Sequence, residues 1–169
     1  HTKSETKTHA AILAYHGNSF HWAGRLLPQS QFNDASLLYA FCRHVDDLAD
    51  EASDSREAKT RLDQLRQDLW SDKPKQPLNE ALRKLMADQQ LEQCWVEDLI
   101  EGVVSDLGEV CLQTKEELLC YAYRVAGTVG LMMAQVLGCR DPHAWAFATD
   151  LGIAMQLTNI ARDVHEDAQ

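Results

Sequence analysis

Apolar residues recur at three- and four-residue intervals through most of this chain, and no segment alternates with the period of two that marks a strand. The strongest run extends from Asn33 or Asp34 to Glu51, where Leu37, Leu38, Phe41, Cys42 and Val45 trace one helical face. From Asp54 to Trp70 the sequence is charged and amphipathic, with Leu62, Leu65 and Leu69 along one side. Ser71–Pro77 (SDKPKQP) reads as a loop. Helical pieces then cover about Leu78–Leu91 and Cys94–Leu107. Thr114 and Glu117 form a T-x-x-E capping box that opens a long helix to about Leu137, with Gly138 at its end. Asp141 is placed to cap the last helix and Pro142 to occupy its first turn, where a missing N–H costs nothing. Upstream, shorter periodic pieces cover Ala11–His16 and Ser19–Leu27 and stop at Pro28, while residues 1–8 are polar and expected to fray. The pattern predicts an all-α helical bundle, a single domain over residues 9–169.

Composition narrows the function. The formal net charge is -10, from 26 acidic against 16 basic residues. That excludes nucleic acid as a direct partner, because binding it needs a basic footprint. An anionic substrate remains open if metal cations mediate the contact. The five cysteines (Cys42, Cys94, Cys111, Cys120, Cys139) form no C-x-x-C pair and lie in apolar helical contexts, so they read as small core residues in a reducing compartment. No stretch approaches the roughly 18–20 uncharged apolar residues of a membrane span, and no signal-peptide pattern opens the sequence. The expected location is the cytoplasm.

Two helices combine apolar faces with acids. In LLYAFCRHVDDLADE, Asp46 and Asp50 are four residues apart, about 40° apart around a helix, with Arg43 nearby. Such a pair repels itself, and a divalent cation compensates: hard oxygen ligands suit Mg²⁺, which keeps sites free for phosphate oxygens. In AMQLTNIARDVHED, Gln156, Asn159, Asp163 and Asp167 fall within an arc of roughly 80°. Met155, Leu157, Ile160 and Val164 occupy the rest of that surface. Two such stripes facing each other would line a pocket acidic at its mouth and apolar below. Taken singly, each has a simpler explanation: most D-x-x-x-D pairs are solvated faces, Arg43 has Asp46 or Asp47 to pair with, and Gln156 and Asn159 can cross-link helices. The intervening YAYRVAGTVGLMMAQVLG adds Gly127 and Gly130 within a helix, at about 1 kcal/mol each relative to alanine. Close packing against a neighbouring helix and a flexed helix lining a long cavity both account for them.

At these residues the sequence resembles the squalene/phytoene synthases, head-to-head prenyltransferases of the isoprenoid synthase fold. The matching pieces are Asn18-Ser19-Phe20, LLYAFCRHVDDLAD, YAYRVAGTVG and QLTNIARDVHED, in the family's order from about residue 9 onward. The resemblance implies a helical bundle with a central cavity. It assigns Asp46 and Asp50 to the first aspartate-rich motif and Asp163 and Asp167 to the second. Both motifs hold Mg²⁺, with Mn²⁺ as a substitute, against prenyl diphosphate. Arg43 matches a diphosphate-contacting arginine, and Tyr121 a tyrosine near the reacting carbons, with cation stabilisation and proton removal both open as its role. Gln156, Asn159 and Arg162 line the same site, Asn159 also as a metal ligand. Ser19 and Phe20 belong to the N-terminal substrate-binding segment. GTVGLMM and DLGIAMQLTNIARDV look more like bacterial phytoene synthases, which implies two geranylgeranyl diphosphates joined to phytoene through prephytoene diphosphate, in carotenoid biosynthesis. Farnesyl diphosphate, giving squalene or dehydrosqualene, is the alternative. The oily product implies peripheral membrane contact for release.

The sequence also departs from the family. A lysine often stands where this chain has Asn18, and a small residue where it has His165, which is expected to face outward. The family's domain continues well past the second motif, so the chain is expected to lack C-terminal helices that close the cavity, and a non-catalytic prenyl-diphosphate-binding or partner domain is the contrasting reading. A head-to-tail synthase would repeat DDxxD in its second motif, where this chain has Asp163-Val164-His165-Glu166-Asp167. A di-iron bundle needs E-x-x-H pairs, and this chain has none.

Overall fold

The computed structural model describes residues 26–108 and 112–167, the last three of these through their backbone alone. Among the described residues seven α-helices follow one another: α1 Gln29–Asp50, α2 Ser55–Leu69, α3 Pro77–Gln89, α4 Gln93–Ser105, α5 Lys115–Ala122, α6 Thr128–Val136 and α7 Pro142–Asp167. A π-helical turn, Tyr123–Gly127, joins α5 to α6. No strand occurs among the described residues, so the all-α expectation holds. The segments expected before Pro28 fall outside the described residues, apart from Leu26 and Leu27, which form a turn and a bend.

Local chemistry sets the helix ends. Helix α1 begins four residues ahead of Asn33, directly after Pro28, whose carbonyl accepts from the Phe32 N–H. Its first turn is polar, with the Gln29 amide donating to Asn33 Oδ1, which is why hydrophobic periodicity places the start late. Asp54 caps α2 by accepting from the Glu57 N–H, while the Glu57 carboxylate accepts in return from the Ser53 N–H and hydroxyl. Across the loop before α3, the Asp68 carboxylate accepts from the Lys75 and Gln76 N–H groups and from the Asn79 amide. The capping box at Thr114 and Glu117 is present with both of its reciprocal bonds. Gly138, at φ +86°, ends α6 in a left-handed turn in which the Cys139 N–H reaches the Ala134 carbonyl. Asp141 Oδ1 accepts from the His143 N–H at the start of α7.

The core lies among α1, α2, α3, α4 and α6. Leu38, Phe41 and Val45 of α1 meet Leu62 and Leu69 of α2, Leu82 of α3, Ile100 of α4 and Met132 of α6, all essentially inaccessible to solvent. Leu37 and Cys42 pack at the edge of this cluster. The reading of the cysteines as core residues is corrected for Cys94 and Cys120, which are exposed; Cys42 and Cys139 are partly buried. Apolar neighbours in sequence do not bury a residue that the helix turns outward.

The helix expected to run unbroken from Thr114 to Leu137 is interrupted. At the π turn the Thr128 N–H donates to the Tyr123 carbonyl, five residues back. Thr128 Oγ1 donates to the Arg124 carbonyl at 2.7 Å, satisfying an acceptor within the widened turn. Glycines let this segment sit between α4 and α7. A Cβ at Gly102 would fall 2.8 Å from Arg124 Cβ and Val125 Cγ1. One at Gly130 would run into the Ala148 carbonyl, and one at Gly152 into that of Ala126. Close packing and a helical irregularity therefore coexist in the glycine-rich segment.

Candidate active site

The α1–α2 corner, the C-terminal end of α4, α5 with the π turn, and the middle of α7 border a cleft of about 460 Å³. Arg43, Asp46 and Asp50 enter it from α1, Asp106 from the end of α4, Tyr121 from α5 and Gln156 from α7. Val103, Leu107 and Val125 supply apolar wall. The two helices bearing the acidic stripes thus border one cleft, polar on one side and apolar on another.

Helix α1 holds its acids because Leu38, Phe41 and Val45 anchor its opposite face in the core. Asp46 is partly buried, and its carboxyl is pushed up to about 6: desolvation dominates, Arg43 opposes it, and Asp50 and Asp47 add to it. Of the two partners open to Arg43, the structure selects Asp47, at 2.6 Å. Arg43 Nε is buried with no hydrogen-bond partner. A metal-binding role fits this donor set. Mutually repelling carboxylates lie in one cleft, and the hard oxygens of Asp46 and Asp50 suit a divalent cation. No cluster of three or more His, Cys, Asp or Glu among the described residues is arranged to hold a metal ion by itself. Two carboxylates alone would leave most coordination positions of such an ion open.

Tyr121 donates its hydroxyl proton to Asp106 Oδ2 at 3.0 Å. The Tyr121 phenol is pushed well above its usual range, first by burial, then by the charge of Asp106 and its hydrogen bond, then by Asp46; Gln156 acts in the opposite direction. A neutral phenol therefore faces the cleft.

The rest of the second stripe is looser. Gln156 reaches the cleft and Asn159 is partly buried. Arg162 and Asp163 are exposed and pair with each other at 2.9 Å. The Asp167 and His165 side chains, and Asn18, Ser19 and Phe20, lie outside the described residues.

Asp106 is a cleft residue that the sequence pattern alone does not single out. One signal was available. It follows the last residue of α4, at the negative end of the helix dipole, where an acid is unfavourable by about 0.3–1 kcal/mol and calls for a reason.

Among the described residues no helix is long and apolar enough to cross a membrane. Residues 13–169 match the family described as squalene/phytoene synthase. The chain is 42% identical to 15-cis-phytoene synthase of Paracoccus sp. (strain N81106 / MBIC 01143), over 96% of this chain and 57% of that protein. It is 38% identical to phytoene synthase of Rhodobacter capsulatus, over 89% of this chain and 46% of that protein. It therefore spans about half the length of the curated relatives it matches. In structure it resembles a dehydrosqualene synthase crystallised with ligand, at TM-score 0.84 and 32% identity, over 99% of this chain and 59% of that one. A squalene synthase from Alicyclobacillus acidocaldarius follows at TM-score 0.81 and 26% identity, over 98% and 63%. Sequence match, helical architecture and the acidic cleft agree: this chain belongs to the squalene/phytoene synthase family.

Proposed function

We propose that this chain carries the diphosphate-binding face of a Mg²⁺-dependent head-to-head prenyltransferase, with two geranylgeranyl diphosphates as substrates and phytoene as product. The observation that carries the reading is the single cleft in which Asp46, Asp50, Arg43, Tyr121 and Gln156 converge from three helices. The named phytoene synthases among its relatives favour the longer substrate. The solved dehydrosqualene synthase favours farnesyl diphosphate as the alternative.

In this reading Asp46 and Asp50 hold Mg²⁺ from α1, and Asp163, Asp167 and Asn159 hold it from α7. Bound there, Mg²⁺ supplies Lewis-acid assistance to loss of diphosphate. Arg43, which lines the cleft, binds diphosphate through its guanidinium. Arg162 adds a second guanidinium, and Ser19 and Phe20 complete the substrate-binding set. Val103, Leu107 and Val125 exclude water that would quench an allylic cation. The neutral Tyr121 presents a dipole to that cation.

The test is incubation with Mg²⁺ and radiolabelled geranylgeranyl or farnesyl diphosphate, with hydrocarbons separated by chain length. Phytoene from the longer substrate is expected. Squalene or dehydrosqualene from the shorter one keeps the mechanism and changes the substrate. Mg²⁺-dependent binding without hydrocarbon replaces catalysis with a binding domain. Asp46→Ala and Asp163→Ala are each expected to abolish substrate ionisation with helical content unchanged by circular dichroism. Turnover retained in either variant refutes the two-motif mechanism.

A further inference from the structure

Asp106 has features that a surface carboxylate does not need. It stands at the unfavourable end of α4, it pairs with no cation among the described residues, and it borders the same cleft as Asp46 and Asp50. Its hydrogen-bond donor is the Tyr121 hydroxyl, fifteen residues on and brought back by the packing of α4 against the π turn. That packing is close: a Cβ at Gly102, one turn before the end of α4, would fall 2.8 Å from Arg124 Cβ and Val125 Cγ1. The seam brings the two backbones close enough for the Asp106 and Tyr121 side chains to meet.

We propose that Asp106 is a positioning residue for Tyr121: by accepting its hydroxyl proton it fixes the phenol against the cleft as an oriented dipole. The contact belongs to the cleft and rests on the reading given under Proposed function. Three consequences follow from the geometry. The phenol proton points at the end of α4, so the electron-rich oxygen and ring are left to meet positive charge. The carboxylate beside the phenol opposes its ionisation, as does Asp46 across the cleft. Gln156 approaches the same hydroxyl from α7, so α4, α5 and α7 are tied together at one oxygen. A cation formed in the cleft then meets a dipole already oriented, with no reorganisation left to perform.

The experiment is a double-mutant cycle with Asp106→Leu and Tyr121→Phe, Asp106→Asn as the conservative variant, and Mg²⁺ dependence measured for each. A second, spectroscopic readout is the Cζ chemical shift of ring-labelled tyrosine, with Tyr121 assigned through Y121F. D106L is expected to lower kcat about tenfold, the loss of a hydrogen bond to a charged group, while KM changes less than about twofold. D106N keeps an acceptor oxygen and is expected to retain part of the rate. The double variant should be no slower than Y121F alone, and D106L should move the Tyr121 Cζ signal. A double variant slowed by the product of the two single effects overturns the proposal, because Asp106 then acts independently of Tyr121. A raised Mg²⁺ requirement in D106L overturns it in favour of a metal ligand, and an unmoved Cζ signal overturns the contact itself. Absence of hydrocarbon from the unsubstituted chain defeats the functional reading and the catalytic role with it, whereas the Cζ signal still decides separately whether Asp106 holds Tyr121.

Discussion

Helices α1 and α7 carry the two acidic stripes, and they are held very differently. Helix α1 turns Leu38, Phe41 and Val45 into the core with no exposed surface left on any of them. On α7, Phe147, Leu151, Met155 and Val164 remain 74%, 63%, 48% and 66% exposed. Contact with the rest of the bundle is made through its inner side, where Gly152 meets the Ala126 carbonyl and Ala148 lies over Gly130. The consequence appears in the acids. Partial burial perturbs Asp46, whereas Asp163 projects into solvent beside Arg162. Two similar sequence stripes thus become a half-site on α1 backed by a closed core and one on α7 whose outer apolar face stays open. A motif supplies the ligands, and packing around them decides how far each is buried.

The largest expected effect tests that asymmetry directly. Phe41→Ala removes a fully buried ring from the central cluster and is expected to cost about 3–5 kcal/mol in urea unfolding. Phe147→Ala, on the outer face of α7, is expected to change stability by less than about 0.5 kcal/mol. Equal losses would show that the outer face of α7 is not the open surface that its exposure indicates. The next effect concerns the inner seam. Gly152→Ala drives a Cβ into the Ala126 carbonyl, an overpacking cost of about 1–3 kcal/mol, offset by about 1 kcal/mol of helix propensity. Because Gln156 lies one turn further along α7, G152A should also weaken Mg²⁺-dependent binding of inorganic pyrophosphate, read by calorimetry. Unchanged stability and binding would mean that the seam does not set the position of α7.

The comparison also shows what a sequence can display. Asp46 and Asp50 were legible because an i,i+4 pair shares a helical face whatever the tertiary structure. The Leu62, Leu65 and Leu69 stripe was legible for the same reason, and all three are buried. The Thr114–Glu117 box depends on four consecutive residues, and both of its hydrogen bonds are present. Asp106 depends on two segments meeting, so no local period pointed to it as a partner of Tyr121. The π turn escaped because a single extra residue in a turn barely disturbs apolar spacing, although Gly127 marked the place where the backbone needed room. Cys94 and Cys120 are exposed because apolar neighbours in sequence do not fix which side of the helix a residue faces.

The smallest effect separates the two stripes electrostatically. With metal removed by chelation, Asp46→Asn relieves the i,i+4 repulsion with Asp50 and part of a desolvation cost. Relief of the repulsion alone is worth about 0.2–0.5 kcal/mol of added stability at neutral pH. Asp163→Asn lacks the burial and is expected to leave the urea midpoint unmoved. The pH dependence of the first effect has a definite sign. Asp46 ionises near 6 in the folded chain, against 3.8 as its ordinary value, so the folded state binds the proton more tightly than the unfolded state. As pH falls through 6 towards 3.8, folding of the unsubstituted chain therefore gains a contribution that D46N lacks, and the advantage of D46N should shrink across that window. Saturating Mg²⁺ should reverse the order at neutral pH, because binding to the folded chain stabilises the form that keeps Asp46. An advantage of D46N that persists unchanged through the window would show that Asp46 is as freely solvated as Asp163, and the distinction between a partly buried and an exposed half-site would then fail at its acids.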